Sequence, residues 1–140
     1  MLWHLPDHTT VPQTEFDAKL EQLLLKPEWI LDGNYLRTAL LRMLYADTLF
    51  WFDLPAEICL QGIYARLGTK RPDMPWEPET AIDPAFEQYV RTFPEQKAPY
   101  LEQMMAAARA LEIDAHIFHT HRQANRFLES LDAEQPDPGA

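Results

Sequence analysis

The chain has 140 residues, which suits one domain, and 46% of them are hydrophobic, enough for a core of its own. Its 22 acidic residues against 12 basic ones leave a formal net charge of −10, which excludes general affinity for nucleic acid or an anionic membrane, since either would repel it. One cysteine, Cys59, excludes an internal disulfide, and no run reaches the roughly 18 apolar residues that span a bilayer.

With a single cysteine and no basic-then-apolar leader at Met1, the expected setting is reducing and cytoplasmic. Met1, Leu2 and Trp3 are apolar, but nothing precedes them to make a strand, and Pro6 and Pro12 enforce a loop. His4 and His8 flank Asp7. Pro6 argues against the helix that a metal pair at this spacing would need, so they read as solvated polar residues. Thr10 or Thr14 can cap a first helix, with Gln13 three residues after Thr10 as in a capping box. Phe16, Leu20, Leu23 and Leu24 follow on one helical face, and Pro27 stops the helix.

Residues 29–38, W-I-L-D-G-N-Y-L-R-T, are the stretch around which the chain is organised. A short apolar run is broken by Asp32-Gly33-Asn34, and Leu36 opens a helical pattern, which reads as strand, tight turn and helix. Ligands of open α/β sheets sit at the carboxyl ends of strands, so Asp32 and Arg37 would bring an acid and a base to one crevice. Asp32 and Asn34 read equally as residues that shape a turn and cap a helix. The helix is expected over residues 36–45 with Leu36, Leu40, Met43 and Leu44 inward.

Residues 48–53, T-L-F-W-F-D, are apolar on both faces, as a central parallel strand is. Pro55 opens a helix to about Leu67, with Cys59, Ile63 and Leu67 on one stripe and Leu60 and Tyr64 beside it. Cys59 there reads as a small core residue. Residues 68–82 hold Pro72, Pro75 and Pro78 and are irregular. Arg66, Lys70 and Arg71 cluster in this acidic chain, either as an anion site or as a solvated helix C-terminus. Asp83-Pro84 starts a helix whose buried face is Phe86, Tyr89, Val90 and Phe93. Pro94 and Pro99 are expected to break the chain before a second helix over residues 100–111, with Met104 and Met105 as core filler. Residues 115–118 form a last short strand. Thr120, with Gln123 three later, caps a final helix with Ala124, Phe127, Leu128 and Leu131 inward, and residues 132–140 read as a disordered tail. Strands alternating with helices point to an α/β fold with a parallel sheet, of which three strands are visible.

His116, His119 and His121 stand at a strand end and offer a metal-dependent hydrolase as one alternative, although strand alternation separates them. The G-x-S-x-G nucleophile elbow is absent. The stronger chemistry is an anion site, with Asp32 for a hydrated cation and Arg37, Arg66 and Arg71 for phosphate oxygens.

At these residues the chain resembles the P-loop nucleotide-kinase group, specifically the FlaR-like topology modulation proteins among the adenylate-kinase-like AAA family ATPases. W-I-L-D-G-N-Y-L-R-T is similar to that family's strand and D-G-N-Y turn, and to the D-G-F-P-R segment of adenylate kinases. F-D-L-P-A-E-I-C-L from Phe52 resembles the next strand and helix start, R-P-D-M from Arg71 the short lid, and F-H-T-H-R from Phe118 the last strand and adenine-side loop. The resemblance implies an ATP-dependent phosphotransferase with Mg²⁺. Asp32 would place the metal through water. Gly33, Asn34, Tyr35 and Arg37 would meet the acceptor, a nucleotide or other small molecule. Arg66 and Arg71 would serve the phosphates catalytically, and Lys70 and Arg122 would contact the nucleotide. Gly62 departs from relatives that carry an arginine there.

The larger departure is at the front. The family needs G-x-x-x-x-G-K-[ST], and none of Gly33, Gly62, Gly68 and Gly139 begins it. Met1 aligns beyond the phosphate loop, its helix and most of the second strand. The resemblance therefore implies residues 1–131 as an incomplete P-loop kinase-like domain lacking the central strand, inactive in this form, through truncation or a misplaced start codon. The strands ending at Asp32 and Asp53 would flank the gap. Direct pairing of those two strands, or a partner or second copy on their open edges, are the alternatives.

Overall fold

The structure is a computed structural model that describes residues 9–134. The readings made for His4, Asp7 and His8 fall outside that range. The order of elements is α1 (Gln13–Leu24), a 3₁₀ turn (Leu36–Thr38), α2 (Ala39–Met43), β1 (Thr48–Phe52), α3 (Ala56–Arg66), α4 (Pro84–Ala110), β2 (Asp114–Phe118) and α5 (His121–Glu134). It is a mixed α/β arrangement of five α-helices and a two-stranded parallel sheet among the described residues. β1 and β2 pair in register from Thr48 opposite Asp114 to Phe52 opposite Phe118, and α3 and α4 form the crossover that parallel strands require.

Two apolar clusters hold the chain. One joins Ala39 and Met43 of α2 to Met104 and Ala108 of α4, with Leu49 and Trp51 of β1 and Ala115 of β2 packed against them. Both expected strands in this half form, and Met104 and Met105 are core residues here. The other cluster is Val11, Phe16, Leu20 and Leu24, with Trp29, Leu31 and Tyr35 laid on it.

The expected strand over residues 29–32 does not form. Its apolar side chains find α1, yet no backbone hydrogen bond of residues 29–32 occurs among the described residues, and Ile30 is 97% exposed. A strand exists through its ladder, and this segment has none among the described residues. Direct pairing of residues 29–32 with β1 is thereby corrected: among the described residues the sheet stops at β1.

Three helix expectations also change. α1 has Pro12 at its N-cap position with no side-chain cap, so neither Thr10 nor Thr14 serves. Leu40 and Leu44 are exposed while Ala39 and Met43 are buried, because a tighter 3₁₀ turn precedes α2 and rotates its face. Pro94 and Pro99 lie inside one continuous helix of 27 residues. Each proline forfeits one helical bond. Between them Lys97, 5% exposed, is anchored to Asp53, and Met104 and Ala108 bury the next turns, so tertiary contacts hold the helix through both breaks.

The remaining ends follow their chemistry. The Asp83 carboxylate accepts from Ala85 N–H at 2.8 Å, with Pro84 in the first turn. Thr120 Oγ1 accepts from Gln123 N–H at 3.2 Å, and Gln123 Oε1 accepts from His119 N–H at 2.7 Å. α5 runs through Glu134, three residues into the stretch read as a tail. Leu128 and Leu131 are exposed and Phe127 alone of its large side chains packs inward, against Phe50, His116 and Phe118.

Candidate functional site

The D-G-N-Y turn borders a cavity of about 310 Å³ that the edge of β1 also lines. Gly33 sits at φ +117°, and a Cβ there would meet the Tyr35 ring at 2.3 Å, so the close fold of Tyr35 over the turn requires glycine. Tyr35 adopts φ +33° and tilts against Phe16 at 5.4 Å. Burial, then the neighbouring Asp32 carboxylate, pushes its hydroxyl above the ordinary tyrosine range.

Arg42, on the same cavity wall, fixes the turn. Its guanidinium donates to the carbonyls of Gly33 at 3.1 Å, Asn34 at 2.5 Å and Tyr35 at 3.2 Å. Burial lowers its pKa from the usual arginine value. Arg42 Nε and Trp51 Nε1 are buried with no hydrogen-bond partner among the described residues, and both side chains line this cavity.

The carboxyl end of β1 supplies a second polar group. Lys97 Nζ stands 2.7 Å from Asp53 Oδ1 and 5.7 Å from the centre of the Phe93 ring. Asp53 Oδ2 lies 3.4 Å from His119 Nδ1. Sequence reasoning missed Arg42 and Lys97. The available signal for Lys97 was a lone cation four residues after Phe93 and seven before Met104, on the buried stripe of a helix.

The residues expected to bind phosphate are not gathered here. Arg37 is turned onto Asp17 by two hydrogen bonds of 2.6 and 3.2 Å. That contact holds the Asp17 carboxyl below its ordinary value. Arg71 is paired with Asp73, and Lys70 lies 3.8 Å from Glu77. Arg66 and Arg71 line a different cavity, of about 690 Å³, with Trp76 and Phe86. Its lining shares no residue with the cavity of Asp32, Gly33 and Asn34. Arg122 is exposed in the first turn of α5. As they stand, these residues do not fit Mg-ATP, because Arg37, Lys70 and Arg71 each face a carboxylate of their own and the two groups open on separate cavities.

The three histidines diverge. His116 pairs with Asp114 at 2.9 Å and lies on Phe127, His119 faces Asp53, and His121 opens α5. Among the described residues no group of three or more His, Cys, Asp or Glu is placed to hold a metal ion, and no helix is long and apolar enough to cross a membrane. Compared with family models, curated proteins and solved structures, the chain matches none.

Proposed function

We propose that this chain is a kinase-like P-loop ATPase domain that lacks its own phosphate loop. Its parent activity is phosphoryl transfer from Mg-ATP to a nucleotide or other small acceptor. The observation that carries the reading is the placement of the D-G-N-Y turn against the edge of β1 in one cavity. The Asp32-Gly33-Asn34 turn, fixed by Arg42, shares a cavity with β1, at whose carboxyl end Asp53 is held by Lys97. Carboxyl ends of parallel strands are where α/β proteins place ligands. The resemblance of the D-G-N-Y and R-P-D-M segments, in this order, adds the kinase class.

By itself the chain is inactive, because nothing in its sequence can cradle the phosphates. The test is to fuse an adenylate-kinase strand, phosphate loop and following helix ahead of Met1. The fusion should bind Mg-ATP, and replacing the loop lysine by alanine should abolish binding, while the 140-residue chain binds none. Phosphoryl transfer by the unfused chain at ordinary kinase rates would overturn the reading. So would a folded fusion with no ATP affinity.

A further inference from the structure

The 310 Å³ cavity is walled by the turn of residues 31–34, by α2, by β1 and by α4, and its size lies at the lower end of small-molecule sites. Trp29, Trp51, Phe93, Met43 and Met104 make much of the wall apolar. Sites of this kind bury a ring and choose it by a few polar groups.

The charges in the lining do not call for an ionic ligand. Lys97 is held by Asp53 at 2.7 Å, and the two terminal nitrogens of Arg42 are spent on the carbonyls of Gly33, Asn34 and Tyr35. Arg37 is turned away onto Asp17. Two charges of the lining have no ion-pair partner among the described residues, Asp32 and Arg42, and they are opposite in sign. A phosphate would meet no free cationic donor and the Asp32 carboxylate besides, and an ammonium would meet the Arg42 guanidinium.

The unmet hydrogen-bonding groups are of both kinds. The Asp32 carboxylate can only accept, and it has no donor among the described residues. Arg42 Nε and Trp51 Nε1 are buried donors without an acceptor. β1 adds neutral groups. Parallel strands bond a neighbour through alternate residues. Asp114 N–H donates to the Asp47 carbonyl at 3.1 Å, and Asp53 N–H donates to the Phe118 carbonyl at 2.8 Å. That phase directs Asp47, Leu49, Trp51 and Asp53 to β2 and turns the N–H and C=O groups of Thr48, Phe50 and Phe52 to the opposite edge. These have no backbone partner among the described residues, and all three residues line the cavity. A hydroxyl is the uncharged group that both donates and accepts.

We propose that this cavity binds an uncharged aromatic alcohol, with its ring among Trp29, Trp51 and Phe93 and its hydroxyl donating to Asp32. Its role as the phosphoryl acceptor rests on the kinase reading, which it narrows to an alcohol in place of a nucleotide. The binding itself stands without that reading.

The test titrates the 140-residue protein with naphthylmethanol, its methyl ether, its phosphate monoester and naphthylmethylamine, followed by amide and indole N–H shifts. The expected result is saturable one-to-one binding of the alcohol that moves the amides of Gly33 and Asn34 and the Trp51 indole N–H. The ether, the phosphate ester and the amine should each bind about tenfold or more weakly. Asp32→Ala should lower the alcohol to the affinity of the ether and leave the ether unchanged, a pattern that a distorted variant does not give. Absence of saturable binding overturns the proposal, and so do equal affinities of alcohol and ether in the unaltered protein. Tighter binding of the phosphate ester or the amine overturns it in favour of an ionic ligand. Shifts confined to the cavity of Arg66 and Trp76 overturn the site. Dimerisation of the free protein that moves the same amides overturns it in favour of a second copy. Alcohol binding by a chain whose fusion fails to bind Mg-ATP upholds the site and rejects the kinase reading alone. A fusion that binds Mg-ATP, beside a chain that binds no alcohol, rejects the alcohol alone.

Discussion

W-I-L at residues 29–31 and L-F-W-F at residues 49–52 are both short, uncharged apolar runs ended by an aspartate, yet one becomes a strand and the other does not. Leu49 and Trp51 are packed between α2 and α4 with β2 hydrogen-bonded alongside. Trp29 and Leu31 rest on α1 without any ladder, and Ile30 between them points to solvent. Apolar pattern selects which residues are buried, and the presence of a neighbouring strand decides whether their backbone becomes a sheet.

The half built on β1 should fail as a unit when its ion pair is broken. Asp53→Ala leaves the Lys97 ammonium buried and alone, which costs about 3–5 kcal/mol. Adding Lys97→Met should recover most of that loss, since an apolar side chain of similar length suits the site. Urea denaturation of both variants checks this, and a double variant as weak as the single one would break the comparison.

Cavity-forming substitutions sharpen it. Met104→Ala and Leu20→Ala each remove a buried side chain, at about 2–5 kcal/mol. Met104→Ala should lower the global unfolding midpoint. Leu20→Ala should chiefly speed amide exchange in α1, because its cluster does not include β1 or β2. Equal global midpoints for the two would show that the halves unfold together.

The smallest effect is the pH dependence of the Asp17–Arg37 contact. Arg37 holds the Asp17 carboxyl below its unfolded value, so the contact stabilises above the ordinary carboxylate range and its contribution is lost as pH falls through the depressed folded value. Arg37→Gln should return Asp17 to an ordinary titration midpoint, read from carboxyl carbon shifts. No movement of that midpoint would remove the contact from the account.

The sequence made the β1–α3–α4–β2 half legible because it carries complete local signals. T-L-F-W-F reads as a strand, Asp83-Pro84 as a helix start and Thr120 with Gln123 as a cap, and the fold uses each of them. The prolines at 94 and 99 misled, since the anchor that carries α4 through them is Lys97 on Asp53, a contact 44 residues apart in the chain. The candidate site was legible as a turn and not as a cluster. Gly33 and Asn34 were visible in D-G-N-Y, whereas Arg42, eight residues past Asn34, shows its role only once α2 folds back over the turn. Nothing in local pattern tells that Arg37 will turn to Asp17, 20 residues before it, whereas Arg71 and Asp73 stand two residues apart in R-P-D and their pairing was open to a local reading.

Residue-resolved amide exchange of the free protein across residues 29–32 and 48–53 tests the central claim most directly. The account predicts slow exchange at Leu49, Trp51 and Asp53, fast exchange at Thr48, Phe50 and Phe52, and fast exchange throughout residues 29–32. Uniform protection of residues 48–53, or protection of residues 29–32, would mean that the edge of β1 already has a partner strand.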